Sequence, residues 1–86
     1  MFSGVFCVKM AKGMYRWVAI YYGGYGSIQV SVEVTNSDQI PQQFATQGWQ
    51  LQDILNSPEE FLNVLKAHPV LRQFSIEAWR PFAGVA

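Results

Sequence analysis

Cys7 and His68 are the only thiol and the only imidazole in the chain, so they are the one pair that could act as nucleophile and base. Such a pair needs hydrogen-bond geometry and a third group to orient the base, and no spacing here supplies either. Each residue has a plainer role, Cys7 as a small hydrophobe within VFCV and His68 as a helix-end residue before Pro69. One Cys and one His cannot make a structural zinc site. The neighbouring carboxylates Glu59 and Glu60 follow Ser57-Pro58, where a capping role accounts for them. The glycines of YYGGYGS (Tyr21–Ser27) suggest a phosphate-cradling loop, but the Lys-Ser/Thr ending is missing and a strand follows instead of a helix. No catalytic, metal or cofactor-binding residue is assigned, and neither an enzyme nor a cofactor is expected.

The aromatic residues carry more information. YRWVAIYYGGYGSIQV, from Tyr15 to Val30, sets Tyr15, Trp17 and Tyr21 on one side of a strand and puts Tyr25 in a Gly-rich turn. Rings that face outward make a contact surface; rings that face inward make a core. Loop parity decides between the two. Directly opposed residues of an antiparallel pair share a face. An even loop sets Tyr21 opposite Ile28 and joins the rings to the aliphatic set Ile28, Val30, Val32 and Val34. A three-residue turn, Gly24-Tyr25-Gly26, sets Ile20 against Val30 and Val18 against Val32, which leaves the rings beside Gln29 and Ser31. The turn with Gly26 at positive φ is the more natural chemistry, so Tyr15, Trp17 and Tyr21 are expected away from the aliphatic interior. It also leaves Arg16 on the aliphatic face, where its stem can lie on apolar surface. With Tyr25, Trp79 and Arg80 these residues form the candidate interaction set.

The elements that must position them follow from pattern. MYRWVAIYY and SIQVSVEV read as strands, rich in β-branched and aromatic residues. SGVFCVKMA alternates poorly, so residues 1–13 read as a loose tail or an edge strand. TNSD breaks the third strand, with Ser37 or Asp38 as a helix N-cap before QIPQQFATQ. In that helix Ile40 and Phe44 make the buried contact and Gly48 marks the exit. WQLQ reads as a short strand with Trp49 and Leu51 on one face. NSPEEFLNVLKAHP is a second helix with Ser57 as cap, Pro58 in the first turn, and a stripe of Phe61, Leu62, Val64 and Leu65. QFSIEAWRPF reads as a closing strand. The expected fold is α+β: one domain over residues 1–86, a mostly antiparallel sheet in the order β-β-β-α-β-α-β, and two short helices packed on one face.

Half of the 86 residues are hydrophobic and only 14 % are charged, against roughly 25 % in ordinary globular domains. So little charge leaves apolar surface for a partner or a second copy to cover. Six basic residues balance six acidic ones, so the broad attraction expected of a non-specific nucleic-acid binder is missing. The start of the chain lacks the order of charge and apolar run that a secretory signal needs, and no run is long enough for a membrane span. The lone cysteine suits a reducing cytoplasm. A small non-enzymatic interaction or regulatory protein is therefore expected, one that docks on another protein or on itself. A compact inhibitor of the kind phages encode has this size and this lack of motifs. The alternative is a single-stranded nucleic-acid-binding module that stacks bases on Tyr15, Trp17 and Tyr21 across an open sheet face.

Overall fold

The computed structural model describes residues 1–85. The elements run β1 (Phe2–Lys9), β2 (Tyr15–Tyr22), β3 (Ile28–Thr35), α1 (Gln42–Thr46), β4 (Leu51–Leu55), α2 (Pro58–Ala67) and α3 (Ile76–Ala83). They build the expected α+β fold. The four strands lie in the order β3-β2-β1-β4. β1–β2 and β2–β3 are antiparallel, and β4 joins parallel to β1.

The first strand is neither tail nor edge. β1 sits inside the sheet, and Val5, Phe6, Cys7 and Val8 are all buried. Its poor alternation has a physical cause: a strand covered on both faces has no polar side to alternate with. Phe2 pairs with Tyr22, and Tyr22 with Ile28. Pairing in this register gives every even-numbered residue of β1, β2 and β3 one face of the sheet and every odd-numbered residue the other.

The even face carries the larger core. Phe6, Val8, Val18 and Ile20 pack with Leu55, with Phe61, Leu62 and Leu65 of α2, and with Trp79 and Ala83 of α3. The cap of α2 forms as its sequence requires. Ser57 Oγ accepts from the Glu60 N–H at 3.2 Å, and a Glu60 carboxylate oxygen accepts from the Asn56 N–H at 3.0 Å. Arg16 also lies on this face. Its Nη1 donates to the Phe82 carbonyl at 3.5 Å, setting a cation at the carboxyl end of α3, where the helix dipole favours it.

The C-terminal segment departs from expectation: Ile76–Ala83 is helix α3, not a strand. Ser75 Oγ accepts from the Glu77 N–H at 3.2 Å as an N-cap, and Gly84 ends the helix in the left-handed region, φ 83°. Ile76, Trp79 and Ala83 bring the same side toward the core at helical spacing. Read with a period of two, the same stretch groups Phe74, Ile76 and Ala78, of which Ala78 is exposed. The two helices that share a face are therefore α2 and α3.

The short helix α1 lies on the opposite, odd face. It begins at Gln42, after Pro41, because Ser37 Oγ accepts from the Gln39 N–H and makes a turn there instead of capping a helix. Phe44 is buried against Val5, Cys7, Trp17 and Ala19, with Ile40, Trp49 and Tyr15 around them. Gly48 turns the chain at φ 79° toward β4.

Trp17 is thus a core residue, 1 % exposed, whereas Tyr25 at the hairpin tip is 95 % exposed. Trp17→Ala should lower unfolding free energy by about 3–5 kcal/mol, the usual cost of emptying a large aromatic site. Tyr25→Ala should change it by less than about 0.5 kcal/mol. Urea denaturation followed by far-UV circular dichroism measures both.

Candidate protein-interaction surface

The turn after β2 sets the geometry of the hairpin. Gly26 has φ 88° and Gly24 φ 92°, and Ile20 pairs with Val30, Val18 with Val32, as the odd loop requires. Tyr15, Trp17 and Tyr21 therefore do lie across the sheet from the aliphatic set. Their fates differ. Trp17 is sealed beneath α1, with no acceptor near its Nε1, so packing alone holds it and it cannot touch a partner. Tyr15 is half-buried at the margin of the same cluster. Tyr21 remains 39 % exposed.

Trp79 also leaves the candidate set. It is 2 % exposed in the α3 core, edge-on to Phe74 with ring centroids 6.2 Å apart and packed against Phe82 at the same separation. Arg80, one residue on, pairs with Glu77 at 3.4 Å across one turn of α3. The sequence marked both tryptophans because Tyr and Trp are frequent at contact hot spots, but the same property, a large apolar ring, makes them the best core fillers.

The surface residues missed from sequence are Val32 and Val34. They are 37 % and 48 % exposed, although they share a face with the core residues Val18 and Val8. The helices stop short of them. Ile28 and Val30 meet α3 across a small apolar cavity of about 50 Å³ bounded by Phe74, Ala78, Trp79 and Phe82; Val32 and Val34 continue that stripe into solvent.

The backbone beside them is also unpartnered. The Val5 N–H donates to the Gln50 carbonyl at 3.0 Å, so the odd residues of β1 direct their backbone groups toward β4 and the even ones toward β2. Alternation carried across the antiparallel ladders then directs the odd residues of β2 and β3 at each other. The amides and carbonyls of Ile28, Val30, Val32 and Val34 face outward, along an edge strand of eight residues. That strand has no proline, no lysine and a single charge, Glu33. Natural sheets usually place such features to stop edge pairing.

The other edge is guarded. β4 carries a register shift opposite Val5–Phe6, and an Asp53 carboxylate oxygen accepts from the Ile54 N–H at 2.8 Å. A bulge and an inserted charge both discourage an added strand. Leu51 and Ile54 are exposed there, beside a backbone ladder that the register shift and Asp53 interrupt.

Cys7 and His68 do not meet. Cys7 is buried on the odd face, and burial pushes its thiol pKa up. His68 stands edge-on to Phe2 on the even face, ring centroids 4.7 Å apart. Its Nδ1 accepts from the N–H groups of Val70 and Leu71 at 3.0 and 3.1 Å, which fixes the turn after α2. Among the described residues no cluster of three His, Cys, Asp or Glu side chains could hold a metal ion. No described helix is long and apolar enough to cross a membrane. Comparison with protein-family models, curated proteins and solved structures finds no match.

Desolvation lowers the His68 pKa below its ordinary 6.5, and the two bonds accepted at Nδ1 favour the same neutral form. The unfolded chain then takes up the proton more readily than the folded one. Stability should be full above about pH 7, fall as pH drops through the ordinary value, and level off below the lowered native one. His68→Asn, which keeps an acceptor for the two amides, should flatten this interval in urea midpoints taken between about pH 7.5 and 5.5. Cys7 should react with a thiol reagent only in denaturant, since burial withholds both access and thiolate.

Proposed function

We propose that this chain is a non-enzymatic interaction protein that docks on another protein or on a second copy of itself, using the open edge of β3 and the tyrosine-bearing turn beside it. The observation that carries the proposal is the coincidence, on one strand, of outward backbone groups with the exposed Val32 and Val34. An added strand gains main-chain hydrogen bonds from the first and side-chain specificity from the second. Tyr25 and Tyr21 extend the contact at one end of the strand and supply rings with little conformational entropy to lose. A regulatory or inhibitory effect would then be exerted by occupancy, with no chemistry in the chain itself. A cytoplasmic setting suits it, the one thiol being buried and without an internal partner.

The nucleic-acid alternative has less behind it. Base stacking on a sheet needs an uncovered face with accessible rings. Here α1 lies over Trp17, the central ring of the expected platform, and equal numbers of acidic and basic residues give no net positive charge to attract a polyanion.

Val32→Lys places a charge in the docking stripe at a site where the monomer already exposes the side chain. It should abolish partner capture by the tagged protein from native lysate while shifting the melting temperature by only about 2–4 °C or less. Capture should survive nuclease treatment. Full capture by Val32→Lys would remove the edge of β3 from the interface.

A further inference from the structure

We propose that β3 pairs with β3 of a second copy of this chain, antiparallel about a two-fold axis at Ser31, so that two four-stranded sheets fuse into one. This rests on the docking function proposed above and names the partner.

The backbone selects the register. The outward-facing groups belong to Ile28, Val30, Val32 and Val34, and hydrogen-bonded pairs in an antiparallel ladder must join residues of that set. Setting Ile28 opposite Val34 of the second copy, and Val30 opposite Val32 of the second copy, pairs every one of these groups on both strands. Shifting by two residues in either direction leaves one end of the set facing a turn or the chain beyond Thr35. A one-residue shift opposes outward-facing groups with inward-facing ones and aliphatic side chains with polar ones.

Side chains agree with that register on both faces. On the helix side, Val32 and Val34, now 37 % and 48 % exposed, come beside Val30 and Ile28 of the second copy and continue the apolar cavity against Phe74 and Phe82. Cross-strand β-branched pairs of this kind are favourable. On the other side Ser31 meets Ser31 of the second copy, and Glu33, the strand's one charge, meets Gln29 of the second copy, whose amide can donate to it. Moving the axis to Glu33 would oppose two carboxylates, which is unfavourable. In this register the strand is self-complementary in backbone pattern and opposes no like charges, as a two-fold interface requires. The guarded edge at β4, with its bulge and Asp53, offers no competing site. One strand pair buries less than a standard interface, so association should be weak and concentration-dependent.

Sedimentation from about 1 to 500 μM, the range of small and weak interfaces, should show wild-type protein passing from one copy to two. Val32→Lys should weaken the association by about tenfold or more, since it sets a lysine in the stripe of each copy. The register is read by cross-linking. A non-hydrogen-bonded pair has Cα atoms about 4.5 Å apart, within disulfide reach. Ser31→Cys should oxidise to a covalent dimer, Gln29→Cys alone should not, and Gln29→Cys mixed with Glu33→Cys should. Cys7 is buried and stays out of the reaction. A wild-type chain that remains one copy throughout this range overturns the self-pairing, as does Gln29→Cys linking as readily as Ser31→Cys. Docking on a different protein would survive either result, because that proposal falls only when Val32→Lys captures at the wild-type level.

Discussion

A strand that is apolar on both faces must be covered on both, and the rest of this molecule follows from that demand. Val5 and Cys7 point one way from β1, Phe6 and Val8 the other, and all four are buried. Burying such a strand on one side alone would leave a row of hydrophobic side chains in water, at roughly 25 cal/mol per Å². The chain answers with α2 and α3 over the even face and, after a crossover from β3 at one edge to β4 at the other, α1 over the odd face. In a chain of 86 residues this uses nearly all the helix there is.

The cost of covering two faces is incomplete cover on each. α1 has five residues and reaches the centre of its face, enough to seal Trp17 and too little to hide Tyr21 or Leu51. The pair α2–α3 is centred on β1 and β2, so that β3 extends beyond it with Val32 and Val34 uncovered. Gaps therefore remain over both edge strands, and over Tyr21 at the end of β2. Only the one beside β3 coincides with free backbone groups, because at β4 the Asp53 side chain already occupies an outward N–H. Exposed side chains and an open ladder are separate conditions for adding a strand: β4 joins the first to an interrupted ladder, β3 to an uninterrupted one.

Local chemistry made much of this fold legible. The register of the hairpin followed from two facts of the sequence, the clean alternation of β3 and a glycine at the position of the turn that needs positive φ, observed at 88° for Gly26. The start of α2 followed from Ser57, Pro58 and Glu60. Ile40 and Phe44 do share one cluster, but not as helix neighbours four apart, since α1 begins only at Gln42. Less local features are ambiguous in the sequence. β1 looked weak because two-sided burial removes alternation, and α3 looked like a strand because Phe74, Ile76 and Ala78 alternate as well as Ile76, Trp79 and Ala83 repeat. In a stretch that short, only the neighbour it packs on separates a period of two from one of 3.6.

The amino-acid sequence by itself determined which residues share a face, since side-chain parity along β2 and β3 is a property of turn length and needs nothing distant. It determined likewise where α2 begins, and that no cluster of chemical groups recurs at a recognisable spacing. Tertiary structure alone decided which residues of each face would stay exposed. Trp17 and Tyr21 have the same parity and nearly the same chemistry, yet one is sealed and the other partly exposed, because α1 returns from some 25 residues further along the chain and sets Phe44 against the first and not the second. Exposure depends on contacts between segments far apart in sequence, and a contact surface is defined by what such contacts leave uncovered.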